Sequence, residues 1–201
     1  MKINKSLVAL ALATALPMAA HAADGISYNY VQAGYTQLNG DDDVKAKGWS
    51  IDGSLAIAPN WSIYTGTDQL SIKGVSADAN TWRLGGSFNT AVAANTDFIV
   101  RGGYQRLAVG AETRNLTIRN GTHFNGYNIE TGVRSALAPQ FEGYALVGYE
   151  RFSEKNGFDP GDGAYGRLGG QFKITPNWGI NGDVKFASGD SVWTIGPRYS
   201  W

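Results

Sequence analysis

The sequence predicts an all-β protein, a transmembrane antiparallel up-and-down β-barrel of ten strands. Three observations predict it. Apolar and polar residues alternate with period two in ten segments, short turns alternate with longer polar links, and aromatic residues gather at the segment ends.

The chain opens on an export signal. Lys2 and Lys5 form a positive start, Leu7 to Met18 is apolar, and Ala20-His21-Ala22 has the small–x–small pattern read by a signal peptidase. A membrane helix needs roughly 17–25 apolar residues, more than this run supplies. The expected domains are therefore a signal peptide at 1–22 and a barrel at 23–201.

The first segment sets Val31, Ala33 and Tyr35 against Gln32, Gly34 and Thr36. In the second, Trp49, Ile51, Gly53, Leu55 and Ile57 alternate with Ser50, Asp52, Ser54 and Ala56. The third is less clean, with Trp61, Ile63 and Thr65 against Tyr64, Gly66 and Asp68. An eight-stranded barrel is the alternative if this segment pairs poorly. The fourth and fifth oppose Trp82, Leu84, Gly86, Phe88 to Arg83, Gly85, Ser87, and Phe98, Val100, Tyr104 to Arg101, Gly103, Gln105. In the sixth and seventh, Tyr127, Ile129, Val133 oppose Asn128, Glu130, Arg134, and Ala145, Val147, Tyr149 oppose Tyr144, Leu146, Glu150. The eighth and ninth oppose Leu168, Phe172, Ile174 to Arg167, Gln171, Lys173, and Ile180, Val184, Phe186 to Asn181, Asp183, Lys185. The last sets Trp193, Ile195, Pro197, Tyr199 and Trp201 against Thr194, Gly196, Arg198 and Ser200. Pro197 is unusual in a paired strand.

Ala58-Pro59-Asn60-Trp61, Ala138-Pro139-Gln140-Phe141 and Thr175-Pro176-Asn177-Trp178 read as short turns, with Ala94-Asn95-Thr96-Asp97-Phe98 as a variant. The other links run from Asn39 to Lys47, Lys73 to Asn80, Ala108 to His123, Ser153 to Gly163 and Ala187 to Asp190. Short turns at one end and longer loops at the other fit an outer-membrane barrel with both termini in the periplasm. An internal repeat supports this registration: Arg83-Leu84-Gly85-Gly86-Ser87-Phe88 recurs as Arg167-Leu168-Gly169-Gly170-Gln171-Phe172.

A soluble sandwich alternates too, but its polar face carries ordinary solvated residues. Here the polar face is rich in glycine, serine, arginine and aspartate. Two levels of aromatics read as interfacial girdles, Tyr35, Tyr104 and Tyr149 at one and Trp61, Phe98, Phe141 and Trp178 at the other. Trp193, Ile195, Tyr199 and Trp201 are expected to be read by the barrel-assembly machinery as an insertion signal. Outer-membrane lipid and lipopolysaccharide are the expected surroundings in the bacterial outer membrane. Cysteine is absent, so the fold must close without disulfides. Removing Lys2 and Lys5 leaves fifteen basic against seventeen acidic residues, a net charge near −2 that argues against nucleic acid.

The segments ISYNYVQAGY, VRSALAPQFEGYALVGYE and YGRLGGQFKITPNWGINGDVKFASGD, followed by an aromatic-terminated strand, resemble a family of small outer-membrane barrels of xanthomonads. That family is described as the activator of XA-type plant immunity, regulated by the diffusible signal factor. The likeness covers nearly the whole mature chain, is strongest from Glu130 to Trp201, and leaves out Asn39 to Lys47 and Ala108 to His123. It implies an outer-membrane or vesicle location, with roles in biofilm, motility or host recognition among those suggested, and it transfers no active residue. More loosely, the chain resembles the OmpA- and OmpX-like small barrels.

The polar face points into the barrel. Arg83, Arg101, Arg134, Arg167, Lys173, Lys185 and Arg198 then face Asp52, Asp68, Glu130, Glu150 and Asp183. Such charges must pair or be hydrated. Either they fill the lumen as a packed network, or they line a narrow solute channel with a mild preference for anions. Catalysis has little support, because His123 is the only histidine after the signal and no motif joins it to a serine and a carboxylate. The acidic clusters Asp41-Asp42-Asp43 and Asp159-Pro160-Gly161-Asp162 lack the spacing of a calcium loop and read as solvated, although divalent cations could bridge them to lipopolysaccharide. Asn115 and Asn120 head sequons common by chance. Neither metal nor cofactor is expected, and any external ligand is unknown. The reading is a non-enzymatic barrel acting structurally or through its external loops, with a narrow channel as the alternative and a barrel hydrolase as a third class.

Overall fold

In a computed structural model, ten antiparallel strands close on themselves. The structure describes residues 23, 25–40, 45–74, 77–111, 122–155, 157, 160–187 and 189–201. The strands are β1 (Tyr30–Asn39), β2 (Lys45–Ala58), β3 (Trp61–Ile72), β4 (Ala77–Ala93), β5 (Thr96–Ala111), β6 (Thr122–Ala138), β7 (Phe141–Phe152), β8 (Asp162–Lys173), β9 (Trp178–Ala187) and β10 (Asp190–Ser200). Each pairs with its sequence neighbours, and β1 pairs with β10 to leave no open edge.

The eight-stranded alternative is wrong. β3 pairs along its whole length with β2 and β4, from Trp61 to Ile72. Its alternation looks weak in the sequence because Tyr64 is turned inward while Thr65 and Thr67 lie on the outer face, so polarity and orientation part company there.

The loops are also shorter than the sequence suggests. β1 runs to Asn39 and β2 begins at Lys45, β4 begins at Ala77, and β5 and β6 reach Ala111 and Thr122. β8 starts at Asp162 and β10 at Asp190. Beyond the lipid both faces meet water, so the apolar alternation fades while ladder hydrogen bonding continues. Asp41, Asp42, Asp43, Asp159, Asn115, Asn120 and the leader at 1–22 lie outside the described residues.

The recurring turn asparagines have one job. Asn60, Asn95 and Asn177 donate from Nδ2 to the carbonyls of Asn89, Ala136 and Ser200, at 2.7, 3.0 and 2.8 Å. The backbone amides of those three residues donate back to the turn carbonyls at 2.7–2.9 Å. Each turn is thereby stitched to a strand of the next hairpin. Asn60 also takes the left-handed φ of 68°, which asparagine tolerates better than most residues.

The Arg-Leu-Gly-Gly repeat has a packing explanation. Tyr64 on β3 stands opposite Gly85 on β4, and Tyr144 on β7 stands opposite Gly169 on β8. A Cβ on Gly85 would lie 2.5 Å from the Tyr64 ring, and one on Gly169 would lie 2.3 Å from the Tyr144 ring. The glycines make beds for inward tyrosines, and Gly148 does the same for Tyr165. Gly169→Ala should therefore cost about 1–3 kcal/mol of unfolding free energy by overpacking, read as a lower urea midpoint in lipid vesicles.

Pro197 sits at the closing seam. The β1–β10 ladder runs Gln32↔Arg198 and resumes at Tyr35↔Ile195, lapsing where proline has no N–H to give.

Candidate functional site

Outward and inward side chains live in different solvents. Trp49, Ile51, Trp61, Ile63, Leu84, Ile129, Leu168 and Ile180 stand exposed on the outer wall, where a water-soluble protein would not leave them together. Gln32, Ser50, Ser62, Gln105, Glu130 and Gln171 are buried within. This inverted arrangement is what a lipid-facing barrel requires.

Tyr35, Trp61, Phe98, Tyr104, Phe141, Tyr149 and Trp178 all project outward. Tyr35 meets Trp193 with ring centroids 5.6 Å apart, and Trp82 meets Tyr104 at 6.3 Å, on the loop side. On the turn side Trp61 packs on Phe88 at 5.1 Å, and Trp178 on Tyr199 at 5.0 Å. Trp201 stacks on Tyr199 at 6.0 Å, extending that level, while Ile195 lies bare on the wall between the two.

The lumen charges form linked groups. Arg83 from β4 bonds Asp68 of β3 and, at 3.1 Å, Asp52 of β2. Gln32 carries this group to the seam by donating to Asp52 at 3.3 Å. Across the lumen, Arg101 from β5 bonds Glu130 of β6, which is also 3.8 Å from Arg167 of β8. Arg167 reaches Asp183 of β9 at 3.0 Å, where the Tyr144 hydroxyl donates at 3.1 Å. Towards the loops Lys185 pairs with Glu150 at 2.5 Å. Arg198 meets no carboxylate among the described residues. It donates to Gln32 at 2.8 Å and Gln171 at 3.3 Å, and lies over the Tyr30 ring at 4.1 Å.

Sequence reasoning missed two inward carboxylates, Asp97 and Glu142, both almost fully buried. Each adjoins an outward aromatic, Phe98 or Phe141, so alternation carried one residue further would have placed them. Glu142 binds Arg134 at 2.5 Å and Lys173 at 2.6 Å. With these two the acids equal the seven inward cations. The two extra positives that suggested an anion preference are gone.

A second feature has no signal in the sequence. Residues ahead of β1 fold into the turn-side mouth, where Ala23, Ile26 and Tyr28 pack against Ala56 and Ile99. Lys173 and Arg134 hold this segment through the carbonyls of Gly25 and Ser27, at 2.5 and 3.1 Å. The Arg134 guanidinium lies over the Tyr28 ring, 5.2 Å from its centroid. Burial, partly offset by Arg134, pushes the Tyr28 phenol well above its ordinary value, so it serves as a donor to Asp97. No periodicity announces this plug, since its apolar side chains find a partner only once the barrel has closed.

Among the described residues, a lumen cavity of about 80 Å³ lies among Ser62, Tyr64, Arg83, Arg101 and Asn128. It has room for a few water molecules. His123 faces outward on β6, exposed, beside Ala108 of β5 and away from the lumen charges.

Fold and wall together define a transmembrane barrel of the outer-membrane type. Solved structures similar to the chain have the same form. Neisserial surface protein A is 12% identical, covers 87% of this chain and 98% of its own, and superposes with a TM-score of 0.49. The N-terminal barrel domain of Pseudomonas aeruginosa OprF is 10% identical over 88% and 100%, at 0.42. The attachment invasion locus protein Ail of Yersinia pestis is 13% identical over 86% and 95%, at 0.36. The likeness extends to the barrel form and no further. No protein-family model matches the chain, and no curated protein does.

Proposed function

We propose that this chain is a non-enzymatic barrel of the bacterial outer membrane, closed through its lumen and acting structurally or through its external hairpins. The observation that carries this is the filled interior. Most of the inward charges are paired with one another, and Ala23 with residues 25–29 occupies the turn-side mouth. Inward charge thus serves packing rather than transport.

Contact with the surroundings falls to the outside. Lys47, Arg106 and Arg151 stand exposed beyond the loop-side aromatics, at the level where lipopolysaccharide phosphates would lie. There Tyr104 donates to Asn125 at 2.7 Å and Tyr149 to Asp162 at 2.8 Å, fixing the β5–β8 rim. The xanthomonad-like segments support a role in biofilm, motility or host recognition, carried by such surfaces. The strands enter the membrane through the assembly machinery, for which the aromatic terminal strand is the recognition element.

Planar-bilayer recording on refolded protein tests the closed lumen. No steady open level is expected. A stable conductance abolished by changing Arg101 or Arg134 would instead establish the narrow channel. Hydrolytic activity lost with His123→Ala would establish the third class.

A further inference from the structure

Asp97 has no solvent-exposed surface, yet no lysine or arginine lies within ion-pair distance of it among the described residues. The other lumen carboxylates, Asp52, Asp68, Glu130, Glu142, Glu150 and Asp183, each have one. The Cα of Arg134 stands opposite Asp97 on β6, but its guanidinium goes to Glu142 and to the Ser27 carbonyl. A buried carboxylate without a cation is costly.

Three donors do reach it. The Ala23 backbone nitrogen is 3.0 Å from Oδ1. The Tyr28 hydroxyl is 2.9 Å from Oδ2, and Asn89 Nδ2 is 3.4 Å from the same oxygen. All three are neutral while residue 23 remains in peptide linkage. The small–x–small pattern at Ala20-His21-Ala22, however, puts the signal-peptidase cut immediately before Ala23.

We propose that the α-ammonium released on Ala23 by signal removal is the counter-ion of Asp97, and that processing thereby locks the N-terminal segment into the turn-side mouth. Hydrolysis adds water across the 22–23 amide. The departing signal keeps a carboxylate, and the Ala23 amine takes up a proton. A neutral N–H···O bond becomes a charge-assisted one inside a poorly solvated site. The rest of the segment is already placed to receive it. Ile26 N donates to the Ala23 carbonyl at 3.1 Å, closing a turn beside the terminus. At the other end Asn29 Oδ1 accepts from Ala56 N at 2.8 Å, and the Ser27 hydroxyl donates to the Trp201 carbonyl at 3.1 Å. The plug is thus tied to the seam by its exit and to β5 by its start. This inference rests on export with a cut after Ala22, and holds whether or not the lumen conducts.

The test uses the mature chain from Ala23, refolded into lipid vesicles in four forms. These are free or acetylated at the α-amine, each with Asp97 or with Asp97→Asn. Acetylation alone, or Asp97→Asn alone, should speed unfolding in urea about tenfold, the change expected for losing one charge-assisted pair. Acetylating the Asp97→Asn chain should instead slow unfolding again, to within about twofold of the parent, because it removes the ammonium left without its carboxylate. If either single change blocks folding, restored folding in the combined form supports the pairing equally. The proposal is overturned if acetylation has no effect, if it acts equally in both backgrounds, if the combined form is not recovered, or if mass spectrometry of the exported protein finds another first residue.

Discussion

Replacing Glu130 with leucine should lower the unfolding free energy by about 3–5 kcal/mol, because it leaves Arg101 charged, partly buried and without its carboxylate. Glu130 is 3% exposed and takes Arg101 on one oxygen, with Arg167 3.8 Å from the other. Arg167 keeps Asp183 after the change, so the cost falls mainly on Arg101. Urea titration in lipid vesicles, followed by tryptophan fluorescence, reads it as a lower midpoint. Adding Arg101→Met should recover much of the loss, since removing both partners is far milder than removing one. A single variant as stable as the parent would mean that the lumen is hydrated well enough to carry unpaired charge.

The outer wall gives the second large effect. Ala145 is exposed on β7, midway between the outward rings of Phe141 and Tyr149. Ala145→Arg should cost about 2–4 kcal/mol, the cost of arginine near the bilayer midplane, whereas Ala145→Leu should be neutral or stabilising. On a water-facing wall the order would reverse, with arginine harmless and leucine a liability. The same vesicle titration distinguishes the two.

How much of this can be read from the residues differs by element. The ten segments are legible because lipid on one side and a packed lumen on the other impose a strict period of two. Where that contrast fails, so does the reading. β3 looks weak because Tyr64 turns inward onto Gly85 and Gly103, a pairing that exists only between strands. Strand ends beyond the aromatics read as loops, since both of their faces are wet. Asp97 and Glu142 are hidden at strand starts, next to the aromatics that should betray them. The N-terminal plug is out of reach, because Ile26 and Tyr28 acquire their environment from Ala56 and Ile99, far along the chain. Ion pairing is partly accessible: inward faces can be assigned from alternation, but the neighbour each arginine chooses depends on strand stagger.

The alternation itself is open to direct measurement, and the absence of native cysteine makes the background clean. Single cysteines at residues 98 to 105 of β5, spin-labelled in vesicles, report collision with dissolved oxygen and with a water-soluble nickel complex. Oxygen access should peak at Phe98, Val100, Gly102 and Tyr104 and fall at Ile99, Arg101, Gly103 and Gln105, with nickel excluded from the first three outward sites. A flat profile, or free entry of nickel at Val100 and Gly102, would contradict a wall that faces lipid.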